Sequence, residues 1–244
     1  MSRTRSREHP LLLNERRDLV VAGVLAGLTA LIFVLMAVTS VRGRIQRVDD
    51  HFLTLMVDHR SGFVTSVAKV FNLLGLTLVT LPVRIVVAGF LAWRRRWWHF
   101  TAFVSAMVVA ELCVGPVKAL YDRLRPPGSL VTVSSSSFPS GHAIAATVTV
   151  VAIVIALFPP RHRAAWGAGA VVFSLLMGLS RAYLAAHWLS DAVAGVLLGA
   201  AVAVCTAVVV QAIWDARVRA GKSAPPSLDA TEAAVLQAGS QDPP

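Results

Sequence analysis

Three short stretches carry polar residues that could do chemistry together. "PSGH", Pro139-Ser140-Gly141-His142, stands just ahead of the apolar run from Ala143 to Phe158. "SRAYLAAHWLSD", Ser180 to Asp191, places His187 and Asp191 four residues apart. On a helix such a pair faces one side and can hydrogen-bond. A carboxylate on one ring nitrogen fixes the tautomer and leaves the other nitrogen as a nucleophile. "KALYDRLRP", Lys118 to Pro126, adds Lys118 and Arg125, seven apart, which share a side if the helix continues that far, although Pro126 favours a stop. With Arg181 they are three cations of the kind that hold a multiply charged anion such as phosphate. Ser140 and Gly141 open a helix whose free N–H groups and positive dipole end form a phosphate seat, and Gly lets the backbone come close. His142 stands opposite as a candidate acid, and the ensemble reads as a phosphoryl-transfer site.

Each stretch also has an ordinary reading on its own. Ser and Pro before a helix are capping residues. A His-x-x-x-Asp pair can be a structural hydrogen bond, and Arg and Lys at span ends anchor the interface. With His142 the pair could instead hold zinc, which the surrounding cations oppose. The four serines at 134–137 read as a polar, mobile lead-in with no assigned part.

What must position these residues is a membrane frame. The 244-residue chain is 56% hydrophobic with a mean hydropathy of +0.67 and only 15% charged residues, too apolar for an ordinary soluble domain. The formal charge of +10 lies at the ends of apolar runs, which favours topology and anionic lipid headgroups over nucleic acid. Cys113 and Cys205 read as packing residues. A span of the roughly 30 Å hydrocarbon core needs about 20 apolar residues. Six such segments stand out: Leu19–Ser40, Leu74–Trp93, His99–Leu120, Ser140–Phe158, Ala164–Tyr183 and Leu189–Trp214. The first is too long for a cleavable signal sequence. The expected fold is therefore an all-α polytopic membrane protein, a six-transmembrane-helix bundle. Residues 1–18 form an Arg-rich cytoplasmic arm, 19–215 the membrane domain, 41–73 an interfacial amphipathic segment within it, and 216–244 a disordered cytoplasmic tail. The "WRRRWWHF" and "PPRHR" clusters put both termini inside. Between His142 and His187 the chain crosses twice, so all three polar stretches fall at the outer helix ends. Arg84 resists this scheme: it sits inside the second span, where an Arg needs a partner or water.

Together the stretches resemble the type 2 phosphatidic acid phosphatase (PAP2, lipid phosphate phosphatase) superfamily. That pattern is Lys, six residues, Arg-Pro; then Pro-Ser-Gly-His; then Ser-Arg, five residues, His, three residues, Asp. Here it reads Lys118 to Arg125-Pro126, Pro139 to His142, and Ser180-Arg181 to His187 and Asp191, without departure. The resemblance covers about residues 15–215, and the short chain with its Ala, Val and Arg bias suggests a bacterial member of the family. The resemblance implies that His187 attacks phosphorus to form a phosphohistidine, that Asp191 orients and charge-stabilises His187, and that His142 protonates the leaving oxygen and later helps water attack. It implies that Lys118, Arg125, Arg181, Ser140 and the Gly141 amide hold the non-bridging oxygens, with no metal or other cofactor. The partners expected are membrane lipids and a lipid phosphate: phosphatidic acid, phosphatidylglycerol phosphate or, favoured for a cell-envelope role, a polyprenyl diphosphate. A phosphotransferase with the same nucleophile and a non-catalytic lipid binder are the rival readings. The soluble haloperoxidases that share this site design do not fit the apolar spans.

Overall fold

Among the described residues, apolar runs bounded by Pro, Gly and charge become eight helices and no other regular element. The structure, a computed structural model, describes residue 11 and residues 15–223; most of the expected N-terminal arm and residues 224–244 of the expected tail lie outside the described residues. The helices are α1 (Glu15–Ala37), α2 (Thr39–Asp58), α3 (Gly62–Leu74), α4 (Thr77–Trp93), α5 (Trp97–Tyr121), α6 (Gly141–Leu157), α7 (Pro160–Tyr183) and α8 (Leu189–Ser223). The chain divides into two compact units, residues 1–211 and 212–244, and the described part of the second is the last stretch of α8. Helix α8 thus runs past the point where the tail was expected to begin. Its sequence there, "DARVRAGKS", holds good helix formers and no Pro before Pro225.

Four of these helices, α1, α5, α7 and α8, are long and apolar enough to cross a membrane. Helices α3 and α4 pass the same test only as a pair bent by 51° at their junction, and α6 is a shorter apolar helix of 17 residues. The protein is therefore an all-α, multi-pass membrane protein with four or five candidate spanning helices among the described residues. Helix α1 shows why hydropathy alone finds it: Leu19, Val20, Val24, Leu31 and Val34 are all exposed, as lipid-facing side chains must be.

Helix α6 lies at the centre. Its Ile144, Val148, Ala152 and Ala156 pack with Val87 and Leu91 of α4, Phe103, Ala106, Met107 and Ala110 of α5, and Val202 and Ala203 of α8. Two glycines on α8 let it approach closely. A Cβ on Gly195 would lie 2.7 Å from the Ser140 carbonyl oxygen, and one on Gly199 would lie 2.8 Å from that of Ile144. Real side chains at these positions would push the helices apart, so the small-xxx-small spacing sets where the start of α6 meets the start of α8.

Arg84 of α4 finds partners inside this packing. Its Nε donates to Thr149 Oγ1 (2.9 Å), Nη1 to Glu111 Oε1 (2.7 Å) and Nη2 to the Ala145 carbonyl (3.1 Å). The ion pair and two neutral acceptors account for a charge in the middle of an apolar helix. Cys113 and Cys205 are free thiols.

Candidate active site

His187 lies in the short connection between α7 and α8, two residues ahead of the helix that carries Asp191. Ala185 has a left-handed φ of 51°, so the chain ahead of Leu189 does not continue the helical spiral. The expected face-sharing hydrogen bond is accordingly not direct: His187 Nδ1 is 3.7 Å from Asp191 Oδ2 and donates instead to the Ser137 carbonyl oxygen at 2.7 Å. Asp191 acts one step removed, because its Oδ2 accepts from the Ser137 hydroxyl and from the Trp188 N–H (3.0 Å). The latter contact reaches back from the first turn of α8 to the residue before it, in the manner of a capping box. On the other side of the ring, Arg125 Nη1 is 3.2 Å from Nε2. A carbonyl facing Nδ1 and a guanidinium facing Nε2 require the proton on Nδ1 and the lone pair on Nε2. Burial pulls the His187 pKa from 6.5 down to about 4, the Asp191 carboxylate offsets part of this, and Arg125 and Arg181 add to it. The ring is neutral at physiological pH, with Nε2 available.

The cations converge, though not by the expected route. Helix α5 stops at Tyr121 because Asp122 turns left-handed (φ 34°), so Lys118 and Arg125 do not share a helix face. They meet on the serine run instead. Lys118 Nζ donates to the Ser136 carbonyl (2.5 Å), and Arg125 Nε to that of Ser135 (2.5 Å). Arg125 Nη1 also donates to the Ala186 carbonyl (2.5 Å), and Ser136 Oγ donates to the Lys118 carbonyl (3.0 Å). The serines, expected to be a mobile lead-in, form the backbone scaffold of the site: main-chain carbonyls aim two cations and the His187 ring.

Ser140, Gly141 and His142 begin α6 beside this scaffold. The Ser140 N–H donates to the Asp191 carbonyl at 3.0 Å, which joins the two helix starts. Ser140 is the N-cap residue, but its side chain makes no capping bond; its buried Oγ has no protein partner. His142 Nε2 and Arg181 Nε are likewise buried without protein partners. Arg181 is 2% exposed and donates through Nη1 to Asn72 Oδ1. A Cβ on Gly141 would meet only Lys118 Cε, at 4.0 Å, so open space lies in front of this amide. His142 sits within charge–charge range of His187, Arg125, Arg181 and Lys118. It also borders a cavity of about 240 Å³ with Gly141, Gly75, Thr77 and Glu111. All eight predicted residues are thus gathered around the starts of α6 and α8. Among the described residues, no three His, Cys, Asp or Glu side chains are grouped to hold a metal ion.

The structure adds residues that sequence reasoning passed over. Arg123 pairs with Asp191 (2.5 Å) and with Asp49 of α2 (2.7 Å). Asn72 of α3 holds Arg181. Gly75 stands against His142, since a Cβ there would lie 2.7 Å from His142 Cδ2. Tyr183 Oη accepts from the Ser61 N–H and contacts Thr65 Oγ1, both at 3.1 Å. Segment 41–73 therefore buttresses the site. The signal for Arg123 was on the page: it lies two residues before Arg125, in a run with three basic residues. Asp49 and Asn72 carry no local signature.

Fold and site together define a multi-pass membrane phosphatase that uses histidine chemistry, and residues 99–215 match the family model described as the PAP2 superfamily. That stretch holds all eight predicted site residues, and the match makes the chain similar to the PAP2-type membrane lipid phosphatases. Among its relatives is phosphatidylglycerophosphatase B of Bacillus subtilis (strain 168), 27% identical over 175 residues that cover 69% of this chain and 86% of the relative. The crystal structure of a transmembrane PAP2-type phosphatidylglycerolphosphate phosphatase from Bacillus subtilis has the same fold, with a TM-score of 0.67 and 24% identity over 81% of this chain and 96% of that one. Aquifex aeolicus LpxE shares it at a TM-score of 0.54 and 20% identity, over 64% and 92% of the two chains.

Proposed function

We propose that the protein removes a terminal phosphate from a lipid at the outer membrane face, through a phosphohistidine on His187 and without a metal. His187 Nε2 forms a bond to phosphorus while the bond from phosphorus to the lipid-side oxygen breaks. His142 gives its proton to that oxygen. In the second half, His142 takes a proton from water, the oxygen of that water attacks phosphorus, and the P–N bond breaks to release phosphate and neutral His187. Lys118, Arg125, Arg181, Ser140 and the Gly141 amide hold the non-bridging oxygens and stabilise the charge that develops there, the part a metal plays elsewhere.

The observation that carries this reading is the set of three buried polar atoms, Ser140 Oγ, His142 Nε2 and Arg181 Nε, left without protein partners beside a neutral His187. Buried polar groups are normally satisfied, and a phosphoryl group with its leaving oxygen supplies acceptors and a proton site for these three. Counting α3–α4 as one crossing and α6 as another gives six, which supports both termini on one side; with the Arg clusters taken as cytoplasmic, the site lies at the outer helix ends and α2 with α3 along the outer interface. A lipid phosphate can then enter with its chains still in the bilayer. Phosphatidylglycerol phosphate comes first among substrates, in keeping with the Bacillus relative's name, ahead of phosphatidic acid and polyprenyl diphosphate.

The test is phosphate release by purified protein in EDTA, against those three lipids in parallel. Turnover with at least one of them, 32P trapped on the wild type, and loss of both in His187→Ala are expected. Retained turnover in both His187→Ala and His142→Ala sinks the assignment.

A further inference from the structure

Arg123 belongs to none of the matched motif positions, yet its guanidinium makes four side-chain hydrogen bonds beside the site. Its Nη1 donates to Asp191 Oδ1 (2.5 Å) and Ser190 Oγ (2.8 Å), and its Nη2 to Asp49 Oδ2 (2.7 Å) and Gln46 Oε1 (2.6 Å). The guanidinium lies 5.5 Å over the Trp188 ring, and the side chain is 8% exposed. Its own carbonyl accepts from the Ser137 N–H at 2.7 Å. Asp49, on α2, uses its remaining capacity on the start of α8, accepting from the Ser190 N–H (2.9 Å) and Ser190 Oγ (2.6 Å).

We propose that Arg123, clamped between Asp191 and Asp49, is a positioning residue for phosphoryl transfer: it fixes the Asp191 carboxylate against Ser137, and through Ser137 the tautomer and direction of the His187 ring. This rests on the function proposed above. Asp191 is fully buried, and so is Asp49. Two buried carboxylates so close together are tolerable only with a cation between them. With Oδ1 tied to Arg123, Asp191 has one oxygen left, Oδ2, for Ser137 and Trp188. Ser137 is then held at three points: by its hydroxyl on Asp191, by its N–H on the Arg123 carbonyl, and by its carbonyl on His187 Nδ1. The charged and titratable groups that face Asp191 are Arg123 and Arg125 from the loop after α5, His187 ahead of α8, Lys118 of α5, and, behind Arg123, Asp49 of α2. Both terminal nitrogens of Arg123 are engaged by protein oxygens, so the residue acts through Asp191 and not on phosphate. The clamp also gives α2 a part in catalysis, because Asp49 is its buried carboxylate at the site.

The experiment uses full-length wild type, Arg123→Gln, Arg123→Lys and Asp49→Asn in lipid vesicles, with kcat, KM, the pH profile of kcat/KM and inhibition by inorganic phosphate as readouts. Arg123→Gln is expected to lower kcat about 100-fold while KM and the phosphate inhibition constant stay within about threefold. Its acid limb should move to higher pH, because Asp191 freed from Arg123 draws a proton onto His187 more strongly. Arg123→Lys should recover about tenfold of the loss, and Asp49→Asn should cost about tenfold in kcat with the limb moved the opposite way, to lower pH, because Arg123 then gives its whole charge to Asp191. A merely structural residue would change the amount of folded enzyme and leave the pH limb in place. Unchanged kcat and acid limb in Asp49→Asn overturn the inference even if Arg123→Gln does not fold. A phosphate inhibition constant raised more than about tenfold in Arg123→Gln also overturns it, by making Arg123 a phosphate ligand. Absence of phosphohistidine in the wild type defeats the functional reading instead, so the two failures are distinct.

Discussion

Arg84 and Arg181 are both buried arginines on membrane helices, and they end differently. Arg84 spends its guanidinium on Thr149, Glu111 and the Ala145 carbonyl, and each nitrogen has an acceptor. Arg181 has Asn72 on Nη1 and an open Nε, next to the open atoms of Ser140 and His142. The first arrangement is closed: a charge that Glu111 and two neutral acceptors satisfy. The second is a set of donors held in place at a cost and not paired by the protein. Burial and charge alone do not separate a structural arginine from a functional one; saturation of its hydrogen bonds does.

Four measurements break or sharpen that contrast. His187→Gln should lower kcat about 10⁴-fold, on the scale seen when a nucleophile is removed, with an unchanged melting profile. A parallel loss of stability would mean the open region is also a structural keystone. Arg181→Lys should cost about 10²–10³-fold in kcat/KM, since a point charge cannot reproduce the planar fork or reach from the same depth. Activity within about threefold of wild type would place Arg181 with Arg84.

The pH profile comes next. His187 is the nucleophile only when neutral, and burial holds its pKa near 4, so kcat/KM should be level above that value and fall about tenfold per unit below it. An acid limb near 6.5 would show that the ring is not buried as described. The same shift carries a stability sign. The folded pKa of about 4 lies below the ordinary 6.5, so this contribution is present above pH 6.5 and is lost as pH falls towards 4. The smallest effect on turnover is expected at Arg84→Met: kcat close to wild type, with stability lower by about 1–3 kcal/mol in denaturant titration, from lost buried hydrogen bonds. The Glu111 partner is 63% exposed, which keeps the figure at the modest end.

The spans and the site were legible to different depths. Hydropathy located α1, α5, α7 and α8 because each carries its own apolar signal, and it located α6 despite a length of only 17 residues. Motif spacing gathered His142, His187 and the cations onto one end of the bundle. It misjudged how they are joined, because both geometric arguments assumed helix where the chain turns left-handed, at Asp122 and Ala185. The clamp on Asp191 was out of reach for another reason. Asp49 and Arg123 are 74 residues apart in sequence, and nothing in the local pattern of either segment encodes the pairing. Segment 41–73 could be read as amphipathic from its alternation, but which polar residue turns inward depends on what α2 and α3 pack against.

The serine run has a consequence for how this enzyme can drift. Ser135, Ser136 and Ser137 direct Arg125, Lys118 and His187 through main-chain carbonyls. Those oxygens survive any side-chain replacement, so an alanine scan would pass over Ser135 almost silently while its peptide group went on aiming a catalytic cation. Only changes to the path of the chain, such as an inserted or deleted residue between Pro126 and Pro139, would expose the dependence. The loop should therefore be permissive in spelling and strict in length.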